Sequence, residues 1–229
     1  EANPEVGLVG SRVRLFPEAL IEGGFRDYVR WQNSLLCPAE IAADIYVELP
    51  IANPTTLFRR QWIVDVGGYR DGDFPEDYEL MLRLHHEGIA MAKLPEVLLD
   101  WRESPGRATR TDGRYAAEAF DRVRAAYLAC DRRLHDGRRL AIWGAGRKTR
   151  RRVDFLREYG FHPDVWVDID PRKIGNRIGG APVVNPDWLD RTERPLVLSY
   201  VTNRGARRLI AEALEAMGYR RGKDYLLVG

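Results

Sequence analysis

Arg139-Leu140-Ala141-Ile142-Trp143-Gly144-Ala145-Gly146 is the stretch that decides the fold of this chain. Leu140 to Trp143 is an unbroken apolar run that predicts a buried strand, and Gly-Ala-Gly directly behind it predicts a tight turn. Thr149 to Tyr159 then reads as a helix that Gly160 ends. Strands follow at 163–168, 182–184, 196–201 and 225–228, with a helical turn at 186–189 and a helix over 204–217 closed by Gly218. This alternation predicts an α/β domain over residues 138–229, a mainly parallel sheet with helices on both faces.

The same turn opens a dinucleotide fingerprint. Gly144 and Gly146 would let backbone N–H groups approach a pyrophosphate at the helix N-terminus. Asp168, 22 residues beyond Gly146, stands where a ribose-binding carboxylate belongs. These three are the nucleotide-binding candidates. Thr149 occupies the place of the third glycine and opposes the close helix–strand packing that glycine permits. A parallel sheet needs a tight first turn whether or not anything binds there, so ligand crevice and plain scaffold both stay open. No residue beside the turn suits hydride transfer, which sets an oxidoreductase aside. Asp168 to Gly175, with Gly179-Gly180-Ala181-Pro182-Val183 behind it, resembles the second strand and turn of small Rossmann-like domains attached to sugar-modifying enzymes. That resemblance speaks to fold rather than chemistry.

Upstream, a helix is expected from Tyr115 to Leu134, so residues 113–137 read as a connecting helix between the second domain and a first module at 1–112. The modules differ in charge. Residues 1–112 carry 12 Lys/Arg and 19 Asp/Glu, residues 113–229 carry 24 and 15, and the whole chain is +2. That asymmetry suits modules that meet each other, a membrane surface or an anionic ligand. Aromatic residues are not interleaved with the arginines, so no nucleic acid is expected as a partner. Cys37 and Cys130 give no disulfide framework, no apolar run approaches the roughly 18 residues of a membrane span, and a cytoplasmic setting is expected. His85 and His86 are adjacent and point apart, His135 and His162 are isolated, and no metal site is expected within the chain.

In the first module the expected elements are a strand over 6–15, a helix over 24–36, a mixed element over 39–47 and a short strand over 55–58. A helix over 78–87, strands over 89–94 and 97–101 around Pro95, and a loop over 104–113 complete it. The informative stretch is Gly67-Gly68-Tyr69-Arg70-Asp71-Gly72-Asp73-Phe74-Pro75-Glu76-Asp77-Tyr78-Glu79-Leu80. Carboxylates at a helix start are ordinary, because the dipole favours them by about 0.3–1 kcal/mol each. Here two glycines and a proline also set Glu76 and Asp77 on a rigid corner with open space beside it. A carboxylate held in that way can take a proton from a hydroxyl nucleophile or help hold a divalent metal.

From Asn3 to about Tyr115 the chain resembles the second half of family-2 glycosyltransferases, inverting enzymes of the GT-A fold that use nucleotide-activated sugars. The matching pieces are Asn3 to Ser11, Pro50-Ile51-Ala52-Asn53-Pro54-Thr55, Phe58-Arg59-Arg60, Val66 to Arg70, Pro75 to Leu80 with Arg83, and Leu94 to Leu99 with Trp101-Arg102. The resemblance implies Asp77 as general base on the acceptor hydroxyl, with Glu76 supporting or orienting the acceptor or loop. It also implies acceptor- or diphosphate-side roles for Asn53, Thr55, Trp101, Arg102, Arg107 and Arg110, although relatives usually show histidine where Asn53 stands. The partners implied are a nucleotide-sugar donor and a glycan or lipid-linked acceptor in cell-envelope polysaccharide biosynthesis. The whole enzyme would work in the cytoplasm or peripherally at the inner face of the membrane, with homo-oligomerisation left open. The departure lies in the donor half. The Asp-x-Asp motif that would hold a divalent metal (Mg or Mn) does not precede the match, and Asp71-x-Asp73 and Asp168-x-Asp170 are not in its position. The chain by itself is therefore expected to be inactive. The alternative is a nucleotide- or sugar-nucleotide-binding module of regulatory or assembly function that acts through the Rossmann-like domain.

Overall fold

The computed structural model describes residues 4–104, 106, 111–191, 193–203 and 205–229. The chain divides into two compact units, Glu1–Val123 and Arg124–Gly229.

The first unit is built on β1 (Val6–Phe16), the middle strand of a three-stranded sheet in which β2 (Leu57–Phe58) runs antiparallel to it and β3 (Ala90–Arg102) parallel. Sequence predicted two strands broken at Pro95, whereas β3 is one strand with an irregularity. Ser11 pairs with Leu94 and Arg12 already with Val97. Proline has no N–H to give the ladder, so the strand steps over Pro95 and Glu96, and the Pro95 carbonyl accepts from Arg12 Nη1 at 3.2 Å. Around the sheet lie α1 (Gly23–Ser34), α2 (Pro38–Asp44), α3 (Arg60–Asp65) and α4 (Glu76–His86). Gly10 of β1 has no Cβ for a reason: one placed there would fall 2.2 Å from Ile51 Cγ2. That close approach seats the segment that leads into Asn53.

Helix α4 is buried more completely than its periodicity predicts. Every residue from Tyr78 to Leu84 is buried, Glu79 and Arg83 included. Such a helix is enclosed on all sides. Its charged pair satisfies itself, since Arg83 Nη2 donates to Glu79 Oε2 at 2.7 Å and Nε to Oε1 at 3.1 Å. A second buried cation, Lys93 of β3, has its main-chain N–H on the Leu36 carbonyl (2.8 Å) and its ammonium on the carbonyls of Pro50 (2.9 Å) and Gln32. Burial, with the nearby charge of Arg12, lowers the Lys93 pKa to about 7 against an opposing pull from Glu40.

The division between units falls within α5 (Ala117–Ala129). This helix is shorter than the 115–134 expected from sequence. Asp131 stops it by turning its carboxylate onto the main-chain N–H of Arg133 at 2.9 Å, and a 3-10 turn, Arg132–His135, follows. Aspartate competes with the helix for backbone donors.

The second unit holds a six-stranded sheet of order β6-β7-β5-β4-β8-β9. Its strands are β4 (Leu140–Trp143), β5 (Val165–Val167), β6 (Arg177–Ile178), β7 (Ala181–Val184), β8 (Leu196–Ser199) and β9 (Tyr225–Leu227). All neighbours are parallel except β6 and β7, so the mainly parallel α/β sheet read from sequence is present. The antiparallel β6–β7 hairpin, turned by Gly179-Gly180, is an addition. Helix α6 (Arg147–Arg157) connects β4 to β5, and α7 (Ala206–Ala216) connects β8 to β9. These connections step in opposite directions along the sheet, so right-handed crossovers place the two helices on opposite faces.

Candidate active site

Five side chains of the first unit form one polar group around the start of α4. Pro75 occupies the N-cap in extended conformation, which leaves Glu76 and Asp77 in the first turn. Asp77 is half-buried, and its Oδ1 accepts from the Tyr78 N–H at 2.7 Å. Burial pushes Asp77 up to about 6; the backbone N–H pulls it back and the charge of Glu76 adds to the rise. Glu76 is engaged differently. The hydroxyl of Tyr115 donates to its carboxylate, 2.8 Å from Oε1 and 3.0 Å from Oε2. On the other side Tyr69 donates to Asn53 Oδ1 at 2.9 Å. Both tyrosines are shifted upward, chiefly by burial, and both feel the charge of Asp77.

The corner itself is fixed from below. Arg83 donates to the carbonyls of Gly68 (2.7 Å) and Val66, so the buried Glu79–Arg83 pair holds the Gly67-Gly68 turn ahead of Tyr69. Exposed Arg70 reaches Glu79 from outside at 3.5 Å. Glu79 is therefore a buttress and not merely a charge that complements the helix dipole.

The other residues singled out from sequence lie as follows. Thr55 is structural: its hydroxyl donates to Ala52 O at 2.8 Å and accepts from Ser11 N at 3.2 Å, which ties the Asn53–Thr55 turn to β1. Trp101 meets Phe25 edge-on at 5.4 Å beside a cluster of Val13, Val29 and Ala52. Arg102 ends β3 opposite Phe16 and is exposed. Arg107 and Arg110 lie outside the described residues. Sequence reasoning missed Tyr115 and Tyr69. Tyr69 stands inside the informative stretch, whereas Tyr115 lies 39 positions from Glu76 with nothing to mark it.

Among the described residues no three His, Cys, Asp or Glu side chains converge as a metal site. Asp71 Oδ1 accepts from the Gly72 N–H at 3.1 Å, and Asp170 is engaged by Arg172 at 3.1 Å. These residues do not fit the divalent metal that the family resemblance implies.

In the second unit Gly144 has φ +105°, and a Cβ there would stand 2.7 Å from Val201 and 3.1 Å from the hydroxyl of Thr149. Thr149 is buried, so the missing side chain of Gly144 makes the room that the threonine takes. Gly146 caps α6 with open space where its Cβ would be. Asp168 is committed: Oδ2 accepts from the Ala145 N–H (2.7 Å) and from Lys173 (3.0 Å), Oδ1 from the Asp170 N–H (2.9 Å). Burial pushes its carboxyl up, but these donors outweigh it and the net shift is downward.

No family model matches the chain. It is similar to a protein of Haemophilus influenzae named an uncharacterized glycosyltransferase, 30% identical over 111 residues, which are 45% of this chain and 41% of that protein. The chain thus spans about two fifths of that relative's length. Among solved structures, UDP-D-quinovosamine 4-dehydrogenase from Vibrio fischeri overlaps 35% of this chain and 71% of its own at 26% identity, with a TM-score of 0.31. RSP, a Rex-family repressor, overlaps 48% and 58% at 18% identity, with a TM-score of 0.33. Among the described residues no helix is long and apolar enough to cross a membrane.

Proposed function

We propose that the first unit is the acceptor-side part of an inverting, family-2-like glycosyltransferase of the GT-A type, with Asp77 as its general base. The carrying observation is the unequal treatment of two adjacent carboxylates. Tyr115 occupies Glu76, while burial raises Asp77 to about 6. A base with that value is ionised at neutral pH and still basic enough to take a proton as an acceptor hydroxyl attacks. The acceptor oxygen forms its bond to the anomeric carbon of the donor sugar, its proton passes to Asp77, and the bond to the nucleoside diphosphate breaks with the electron pair leaving on the phosphate. Tyr69 and Asn53 border the acceptor. The similarity to a protein named a glycosyltransferase supports the general reading. The donor pocket, the metal and the cytoplasmic setting belong to the proposal for the whole enzyme. In that enzyme Asp77→Asn lowers turnover by about 10²–10⁴ and leaves donor affinity unchanged, while Glu76→Gln costs less. Near-normal turnover in Asp77→Asn would refute the assignment.

A second reading rests on the open space before α6, where a Cβ at Gly146 would meet nothing and the exposed Lys148 donates to Thr202 Oγ1 at 3.3 Å. On this reading the second unit is a nucleotide-binding regulatory module. Titration by calorimetry with NAD, ATP and nucleotide-sugars tests it: binding tighter than about 10 μM, lost in Gly146→Val, supports it. The commitment of Asp168 to its own chain argues for the opposite result.

A further inference from the structure

A cleft of about 590 Å³ lies between α3 and the segment that leads from α4 into β3. Glu87 on its wall stands ten positions beyond Asp77, about 15 Å along the helix axis. Trp62 and Ile89 supply its apolar part. Both lean over Gly7 of β1, where a Cβ would fall 2.2 Å from Trp62 Cε3 and 2.5 Å from Ile89 Cγ2, so the bare backbone seats them. Arg83 is buried and already committed to Glu79 and to the carbonyls of Val66 and Gly68, which makes it a fixed wall. The lining groups with spare capacity are others. Glu87 is exposed, and its carboxylate has no donor or cation among the described residues. Asp65 accepts from Gln61 on Oδ1 alone, at 2.6 Å. Arg70 reaches Glu79 at 3.5 Å, a carboxylate that Arg83 already holds with two nitrogens. The Trp62 indole N–H has no acceptor among the described residues.

Charge and shape together choose the ligand. The Glu79–Arg83 pair is balanced within itself, and the rest of the lining sets Arg70 against Asp65 and Glu87. Such a wall turns away phosphates and other anions, and Arg70 opposes a bare cation. It suits an uncharged molecule with an apolar face for the indole and hydroxyls around it. A hydroxyl both donates and accepts, so the carboxylates take its hydrogen while Arg70 and the indole N–H supply theirs. A sugar ring has this character, and the volume falls in the range of small-molecule sites. We propose that the cleft is a second, non-catalytic sugar site, which holds an uncharged glycosyl unit on Trp62 with Asp65, Arg70 and Glu87 on its hydroxyls. The proposal is independent of the glycosyltransferase reading, since none of these residues belongs to the group around Asp77.

The test is fluorine NMR of the full chain labelled with 5-fluorotryptophan, the Trp62 resonance being the one missing from Trp62→Phe. The probes are the methyl glycosides of glucose, galactose, N-acetylglucosamine and rhamnose. At least one of them shifts that resonance saturably below about 50 mM, while inorganic phosphate and spermidine at the same concentration do not. Glu87→Ala and Arg70→Ala, both at exposed positions, each weaken the binding at least about fivefold. Asp77→Asn leaves it within about twofold, because the two sites share no side chain. No shift with any of the sugars, or an equal shift with phosphate or spermidine, overturns the proposal. So does unchanged affinity in either alanine variant. Loss of binding in Asp77→Asn overturns it as well and would make the cleft part of the acceptor site.

Discussion

The starts of α4 and α6 show two fates of a buried carboxylate beside a helix N-terminus. At α4, Asp77 receives one close backbone donor and lies next to the charge of Glu76, and burial wins: its proton is held up to about pH 6. At α6, Asp168 is buried as well, but it receives two backbone N–H groups and the Lys173 ammonium, and its pKa falls. What separates the two is the balance between desolvation, which raises a carboxyl, and the donors committed to its charged form, which lower it. Asp168 braces the glycine turn against the end of β5, and Asp77 keeps capacity to exchange a proton.

The contrast can be broken most directly at Asp168. Asp168→Ala strands two backbone N–H groups and an ammonium, and is expected to cost about 3 kcal/mol in urea unfolding of the second unit. An unchanged midpoint would mean that the brace is not real. Asp77→Asn should move the other way and stabilise the first unit at pH 7 by about 1–3 kcal/mol. The sign follows from linkage: a carboxyl with a raised folded-state pKa contributes its stability below about pH 4 and loses it as pH rises through about 6. The advantage of the asparagine should thus vanish near pH 4; an advantage constant with pH would point to a cause other than burial of charge.

Two smaller effects sharpen the picture. Gly144→Ala meets both a positive φ and Val201, so a loss of about 1–3 kcal/mol is expected, against less than about 0.5 kcal/mol for Gly146→Ala; thermal melts of the two variants settle the order. Tyr115→Phe frees Glu76, and its charge then acts less screened on Asp77. In the whole enzyme this lowers kcat/KM by about 3–10-fold and moves the acid limb of the pH profile upward. A lower rate with an unmoved limb would reduce Tyr115 to a packing role.

Much of this was legible in the sequence because it is local. The strand–turn–helix of the second unit follows from apolar runs and glycines within a few positions of one another, and so does the placing of Glu76 and Asp77 at a helix start. What was not legible is contact between distant segments. Tyr115 on Glu76 and Lys173 on Asp168 are settled by how strands and helices pack, and no spacing announces them. The helix end at Asp131 and the single strand across Pro95 failed for another reason. Each turns on one side chain or one missing N–H that competes with an otherwise regular element, which periodicity does not weigh.

Lys93 joins β3 to the end of α1 and to the segment that carries Asn53, and it does so through carbonyls alone. Its consequence, taken with Asp77, is a proton count on unfolding that changes sign with pH. Above about pH 7 the folded chain holds Lys93 neutral, so unfolding takes a proton from solution; near pH 5 unfolding releases one from Asp77. The heat of unfolding measured in a scanning calorimeter should therefore depend on the ionisation enthalpy of the buffer, with opposite slopes in the two pH ranges. In a Lys93→Met chain the alkaline slope disappears while the acid one stays.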